Sequence, residues 1–127
     1  MSAVLIRSSR LPKNNTFHTK NSDTMQLGEL YFKKGSLVEP HMHLLRKRTV
    51  FRTTETLIIK KGNCDIFLYD KKTKIKKFNL KSGDIILLNN IAHSIEFKSN
   101  THIVEIKQGP YSIKGDKIKF REISNEK

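Results

Sequence analysis

Between residues 25 and 108 the chain alternates short apolar runs, about four to eight residues each, with breaks of Gly, Asn, Asp and Lys, a pattern that reads as an all-β domain. The predicted strands are 29–33, 37–43, 55–60, 64–69, 75–80, 84–88, 93–97 and 102–108. No segment sustains the three-and-four spacing of a long amphipathic helix. Two breaks have a turn mechanism: Lys61-Gly62-Asn63 and Lys81-Ser82-Gly83-Asp84 supply residues that tolerate positive φ, as tight hairpins require. Roughly eight short strands at this spacing point to a sandwich or a closed barrel.

The ends read differently. Residues 1–24 are mostly polar, with only Ala3-Val4-Leu5-Ile6 able to add a strand, and are expected to form a partly flexible arm. Residues 25–113 would be the folded barrel and 114–127 a charged, solvated tail or short edge piece. Residues 44–54 do not alternate cleanly and read as a long loop or irregular strand.

At 127 residues the chain fits one domain and is long enough to build a core without crosslinks. Its single cysteine, Cys64, forms no internal disulfide; it follows the Gly62-Asn63 turn in phase with Ile66 and Leu68, which reads as core packing. No run approaches the roughly 20 apolar residues of a spanning helix, and residues 3–6 are too short for the apolar core of a signal peptide, so a cytoplasmic protein is expected. A formal net charge of +13 favours anionic ligands. Nucleic acid is not expected, because no aromatic side chain is interleaved with the lysines of 71–77, which instead read as a charged hairpin end that guards an edge. The cluster Arg46-Lys47-Arg48 with Arg52 is the best candidate for holding phosphate or carboxylate, through two-point guanidinium contacts.

The histidines carry the most chemistry. On a strand over 37–43, His41 and His43 would point to one face with Cα atoms roughly 6.5 Å apart, close enough for both imidazoles to reach one ion. Glu55 is in phase with Leu57 and Ile59, and His93 with Ile95 and Phe97, so both polar side chains share a face with core residues. A carboxylate so placed needs a cation or hydrogen-bond donors. His18 lies in the polar arm. His102 is in phase with Val104 and Ile106 and reads as an inward histidine satisfied within the fold. Tyr31, Tyr69 and Tyr111 are possible acids that sequence alone does not position.

Gly35-Ser36-Leu37-Val38-Glu39-Pro40-His41-Met42-His43, with Glu55 and then Gly62, resembles the first motif of the cupin superfamily, and residues 83–93, from Gly83-Asp84 to His93, resemble the second. The likeness covers about residues 29–108. It departs from the family pattern in the eleven residues between His43 and Glu55, and in Asn89 and Ile91, which stand where proline and glycine are usual. The resemblance implies a double-stranded β-helix, the jelly-roll cupin barrel, as a single domain of the small sugar-metabolism type, together with a homodimer. It implies one divalent metal ion (Fe, Mn, Ni, Zn or Cu) held by His41, His43, Glu55 and His93. His41, His43 and His93 would be the catalytic residues, and Arg46, Arg48 and Arg52 would bind substrate.

The expected function is a metal-binding, isomerase- or epimerase-like enzyme acting on a phosphorylated or nucleotide-linked sugar. A metal-free sugar-nucleotide ketoisomerase, in which a cavity histidine removes a proton next to a ketone, is a second reading. A non-catalytic barrel that binds a small anion or carbohydrate is a third.

Overall fold

The computed structural model describes residues 2–123. It contains strands β1 (Ser2–Ile6), β2 (Thr16–Phe17), β3 (Gly28–Glu29), β4 (Thr54–Lys61), β5 (Asn63–Asp70), β6 (Thr73–Lys81), β7 (Ile85–Asn89), β8 (Ala92–Phe97) and β9 (His102–Lys107). All strand pairs are antiparallel, and no helix occurs among the described residues. The protein is therefore all-β. None of its elements is a helix long and apolar enough to cross a membrane.

The chain divides into two compact units, one formed by Leu11–Arg52 and the other by the segments on either side of it. The larger unit holds a four-stranded sheet ordered β1-β7-β4-β9 and a three-stranded sheet ordered β6-β5-β8. Period-two alternation sends Leu57 and Ile59 of β4, Ile86 and Leu88 of β7, Cys64, Ile66 and Leu68 of β5, and Leu80 of β6 into one shared core. Ile59, Ile66, Leu80 and Ile86 are fully buried. Ala3, Leu5, Phe78, Ile95 and Ile103 pack around them.

Ala3-Val4-Leu5-Ile6 is thus an edge strand of the main sheet rather than a flexible arm, paired along its length with β7 from Ser2–Asn89 to Ile6–Ile85. A buried carboxylate fixes where it ends. Asp84 accepts hydrogen bonds from the backbone N–H of Ser8 and Lys81, both at 2.9 Å, and pairs with Arg7 at 3.0 Å. Burial pushes the Asp84 carboxyl up, but these donors together hold it below its ordinary value.

The smaller unit differs from the sequence expectation. Strands 29–33 and 37–43 are absent; the unit has only the two-residue strands β2 and β3, followed by chain that joins no sheet. Residues 37–43 alternate as a strand does, but alternation forms a strand only where a neighbour supplies ladder hydrogen bonds. No residue of Leu11–Arg52 is fully buried, and Leu37, Met42, Leu44, Leu45 and Phe51 are strongly exposed. The expected segments 1–24, 25–113 and 114–127 do not coincide with these units.

The described part of the C-terminal segment is anchored. Phe120 packs edge-on against Tyr69, and the Tyr69 hydroxyl lies 2.8 Å from Ser94 Oγ and 3.3 Å from the Glu122 carboxylate. The Ile123 N–H donates to the Lys72 carbonyl at 2.9 Å. Residues 124–127 of the expected tail lie outside the described residues.

The β5–β6 hairpin turns through Lys71 and Lys72, both at positive φ (47° and 67°), between the paired residues Asp70 and Thr73. This geometry suits Asn-Gly and is costly for lysine. The double change Lys71→Asn, Lys72→Gly is expected to raise stability by about 1 kcal/mol, read as a higher urea midpoint at unchanged m-value. An unchanged or lower midpoint would exclude strain in this turn.

Candidate functional site

Glu55 and His93 meet inside the larger unit. Glu55 is the second residue of β4, a central strand, where it lies opposite Leu88 of β7 and Lys107 of β9. The start of β4 is pinned by Gln108 Oε1, which accepts the Thr54 N–H at 2.9 Å, and by the Thr54 hydroxyl, which donates to Asn89 Oδ1 at 3.2 Å. His93 is on β8 of the other sheet, opposite Leu68. Cross-strand partners share a face, so Glu55 travels with Leu57 and Ile59 while His93 travels with Leu68 and Ile95. Glu55 Oε1 and His93 Nε2 are 2.6 Å apart, their side chains 14% and 28% exposed.

The imidazole is oriented from behind. His93 Nδ1 donates to the Ile91 carbonyl at 2.9 Å, which leaves Nε2 directed at Glu55. The hydrogen bond to Glu55 raises the His93 pKa against the opposing effect of burial. In return the hydrogen bond from His93, more than any other neighbour, brings the Glu55 carboxyl down to about 2. Each partner thus favours the charged form of the other, an imidazolium beside a carboxylate.

Two residues that the sequence reading passed over complete this corner. Glu105 and Lys107 of β9 lie opposite Leu57 and Glu55. Hydrogen bonding to Glu55, with burial and carboxylate repulsion, pushes the Glu105 pKa up. Glu55 is thus the ionised partner and Glu105 the one that holds a proton more readily. Lys107 pairs with Asp116 at 2.8 Å, which raises its pKa. The ladder shows why these residues were missed: the core face of β9 is Ile103, Glu105 and Lys107, while His102, Val104 and Ile106 point the other way. His102 is exposed, not inward.

The remaining expected site residues lie in the Leu11–Arg52 unit. His41 and His43 are not on a strand, so their convergence does not come from strand alternation. Their rings are nonetheless neighbours, with centroids 5.3 Å apart and planes at 73°. His41 Nδ1 is bonded to the Glu39 carbonyl at 2.8 Å, leaving Nε2 as its outward nitrogen. Two imidazoles on one ion at about 2.1 Å have ring centres roughly 5 Å apart, so this spacing fits shared ligation. Among the described residues no group of three or more His, Cys, Asp or Glu side chains is gathered as a metal site. Arg46 and Arg48 line a pocket of about 700 Å³ within this unit, and Arg52 is not among its lining residues.

The other candidates are structural. His18 pairs with Glu29 across the β2–β3 ladder at 2.9 Å. Cys64 is buried, and burial raises its thiol pKa. Tyr31 and Tyr111 are exposed.

Among known proteins, residues 3–80 match the model of a family described as a domain of unknown function, DUF6016. That span includes Glu55 and ends before His93. No curated protein and no solved structure matches the chain.

The ion pair has a defined pH window. The raised His93 pKa gives stability that is complete below the unfolded value of 6.5 and lost as pH rises through the folded value. The lowered Glu55 pKa gives stability that is complete above the unfolded value of 4.5 and lost as pH falls through about 2. The wild-type advantage over His93→Gln in urea denaturation is therefore expected to be greatest between pH 4.5 and 6.5, at about 2 kcal/mol, and to shrink on either side. A difference that stays constant from acid to alkaline pH would show that no ion pair forms.

Proposed function

We propose that the chain, which belongs to the family of the domain of unknown function DUF6016, is a cupin-type protein with an isomerase- or epimerase-like activity on a phosphorylated or nucleotide-linked sugar. The observation that carries this reading is the Glu55–His93 pair, drawn from two different sheets and held 2.6 Å apart in a half-buried corner. A histidine fixed by a backbone carbonyl and matched to a carboxylate is built to take up and return a proton, the step that sugar isomerisation and epimerisation share. Glu105, with its raised pKa, supplies a second carboxyl able to hold a proton beside Glu55. The sandwich of antiparallel sheets supports the jelly-roll reading.

We also propose one divalent ion, with the neighbouring imidazoles of His41 and His43 among its donors. Imidazole nitrogen and carboxylate oxygen suit first-row divalent metals. The carbonyl bond at Nδ1 of His41 is the kind that orients a metal-binding imidazole. A bound ion would polarise a carbonyl or hydroxyl oxygen of the substrate. The proton itself is the work of the protein: His93 presents Nε2, Glu55 stabilises the charged ring, and the Ile91 carbonyl fixes its orientation.

The test is proton exchange. In D2O, with a panel of phosphorylated and nucleotide-linked sugars, the protein is expected to place deuterium on the carbon next to the carbonyl of its substrate. His93→Gln should lower that rate by about 10²–10⁴-fold. Elemental analysis of protein purified without chelator or nickel resin should give one equivalent of divalent metal, lost in His43→Ala. Exchange that survives His93→Gln would overturn the catalytic assignment, and metal-free protein at full activity would overturn the ion.

A further inference from the structure

We infer that the Leu11–Arg52 unit contains a binding pocket for a nucleoside diphosphate, its phosphates on Arg46 and Arg48 and its base on Phe17. The inference rests on the proposed substrate class, and the test below separates binding here from reaction at Glu55 and His93.

The pocket, about 700 Å³, lies wholly within this unit. Its volume falls in the range of small-molecule sites, roughly 300–1,000 Å³. One wall is Arg46-Lys47-Arg48, three consecutive cations. Among the described residues no carboxylate is paired with any of them, although salt bridges occur elsewhere in the chain. The lining holds one carboxylate, Asp23, whose Oδ2 accepts the Lys20 N–H, so three cations against one anion leave the concavity with an excess of positive charge that an oxyanion relieves. Guanidinium forks grip phosphate oxygens in two-point geometry, which is the reason for assigning the phosphates to the arginines.

Another part of the lining is a pinned turn. The Lys20 N–H donates to Asp23 Oδ2 at 2.8 Å, and the Asp23 N–H donates back to the Lys20 carbonyl at 3.0 Å. Gln26 Nε2 ties the same two residues by donating to the carbonyls of Lys20 at 2.8 Å and Asp23 at 2.9 Å. Asn21 and Ser22, carried on this frame, line the pocket. A preorganised wall reduces the ordering cost of binding.

Phe17 supplies the surface that distinguishes a nucleotide from a bare phosphate. Its ring lines the pocket and is 60% exposed. It is held flat against the opposite strand because Gly28, its partner in the β2–β3 ladder, has no side chain: a Cβ there would lie 2.7 Å from the ring. An exposed ring fixed in this way is a platform on which a planar base can stack.

The test is calorimetry on the full chain at about 150 mM salt with UDP, ADP, uridine and inorganic phosphate as probes. Saturable binding of a nucleoside diphosphate is expected, at least 10-fold tighter than phosphate or uridine alone. Arg46→Gln and Arg48→Gln should each weaken it by 10-fold or more, and Phe17→Ala by about 5–100-fold for the diphosphate but not for phosphate. His93→Gln should bind as the wild type does, which separates this pocket from the reaction site. No saturation at millimolar diphosphate, or binding unaltered in the Arg46→Gln, Arg48→Gln double variant, would overturn the inference. Equal affinity for phosphate and diphosphate would do so as well.

Discussion

Everything in the larger unit follows from burying one face of each of two sheets against the other. Ile59 and Ile86 from the four-stranded sheet meet Ile66 and Leu80 from the three-stranded sheet, all fully enclosed. Each residue of that layer is placed by alternation along its strand, and the same alternation leaves no choice for the polar residues that share the face. Glu55 continues the row of Leu57 and Ile59, and His93 continues the row of Ile95. Their juxtaposition results from sheet packing, and their short contact is the solution available to a carboxylate that cannot reach bulk water freely.

The rim of this core is held by charge. Asp84 joins β1 to the β6–β7 turn through Arg7, Ser8 and Lys81, and Asp65 on β5 draws on Asn79, Lys77 and Lys98. Asn79 leads the causes that lower the Asp65 pKa, against the effect of burial. In a strongly cationic chain these few buried carboxylates are where positive side chains are neutralised locally. Arg46, Lys47 and Arg48 lack that arrangement, and the contrast gives their pocket its character.

How much of this could be read from the chain itself depended on the segment. Strands β4 to β8 were legible within a residue or two from their own apolar runs and the breaks between them, and the inward phase of Glu55 and His93 followed from their apolar neighbours; the turns at Gly62 and Gly83, expected as tight hairpins, instead carry the chain from one sheet to the other. Residues 37–43 alternated equally well but have no strand beside them, a fact of tertiary structure that no local pattern contains. Strand β9 misled in a different way. Val104 and Ile106 are its more conspicuous apolar residues, yet the ladder with β4 puts Ile103, Glu105 and Lys107 on the face of Leu57 and Ile59, Glu105 itself being exposed. The acidic neighbour of Glu55 is hidden from a reading that takes the apolar side of a strand to be the one facing the core.

Cys64 belongs to the shared core near the start of β5, 1% exposed, and burial pushes its thiol pKa up. A thiol reagent can reach its sulfur only when β5 separates from its neighbours. Alkylation of the native protein therefore acts as a clock for opening of the sheets, and its rate under native conditions reports how often the sandwich comes apart.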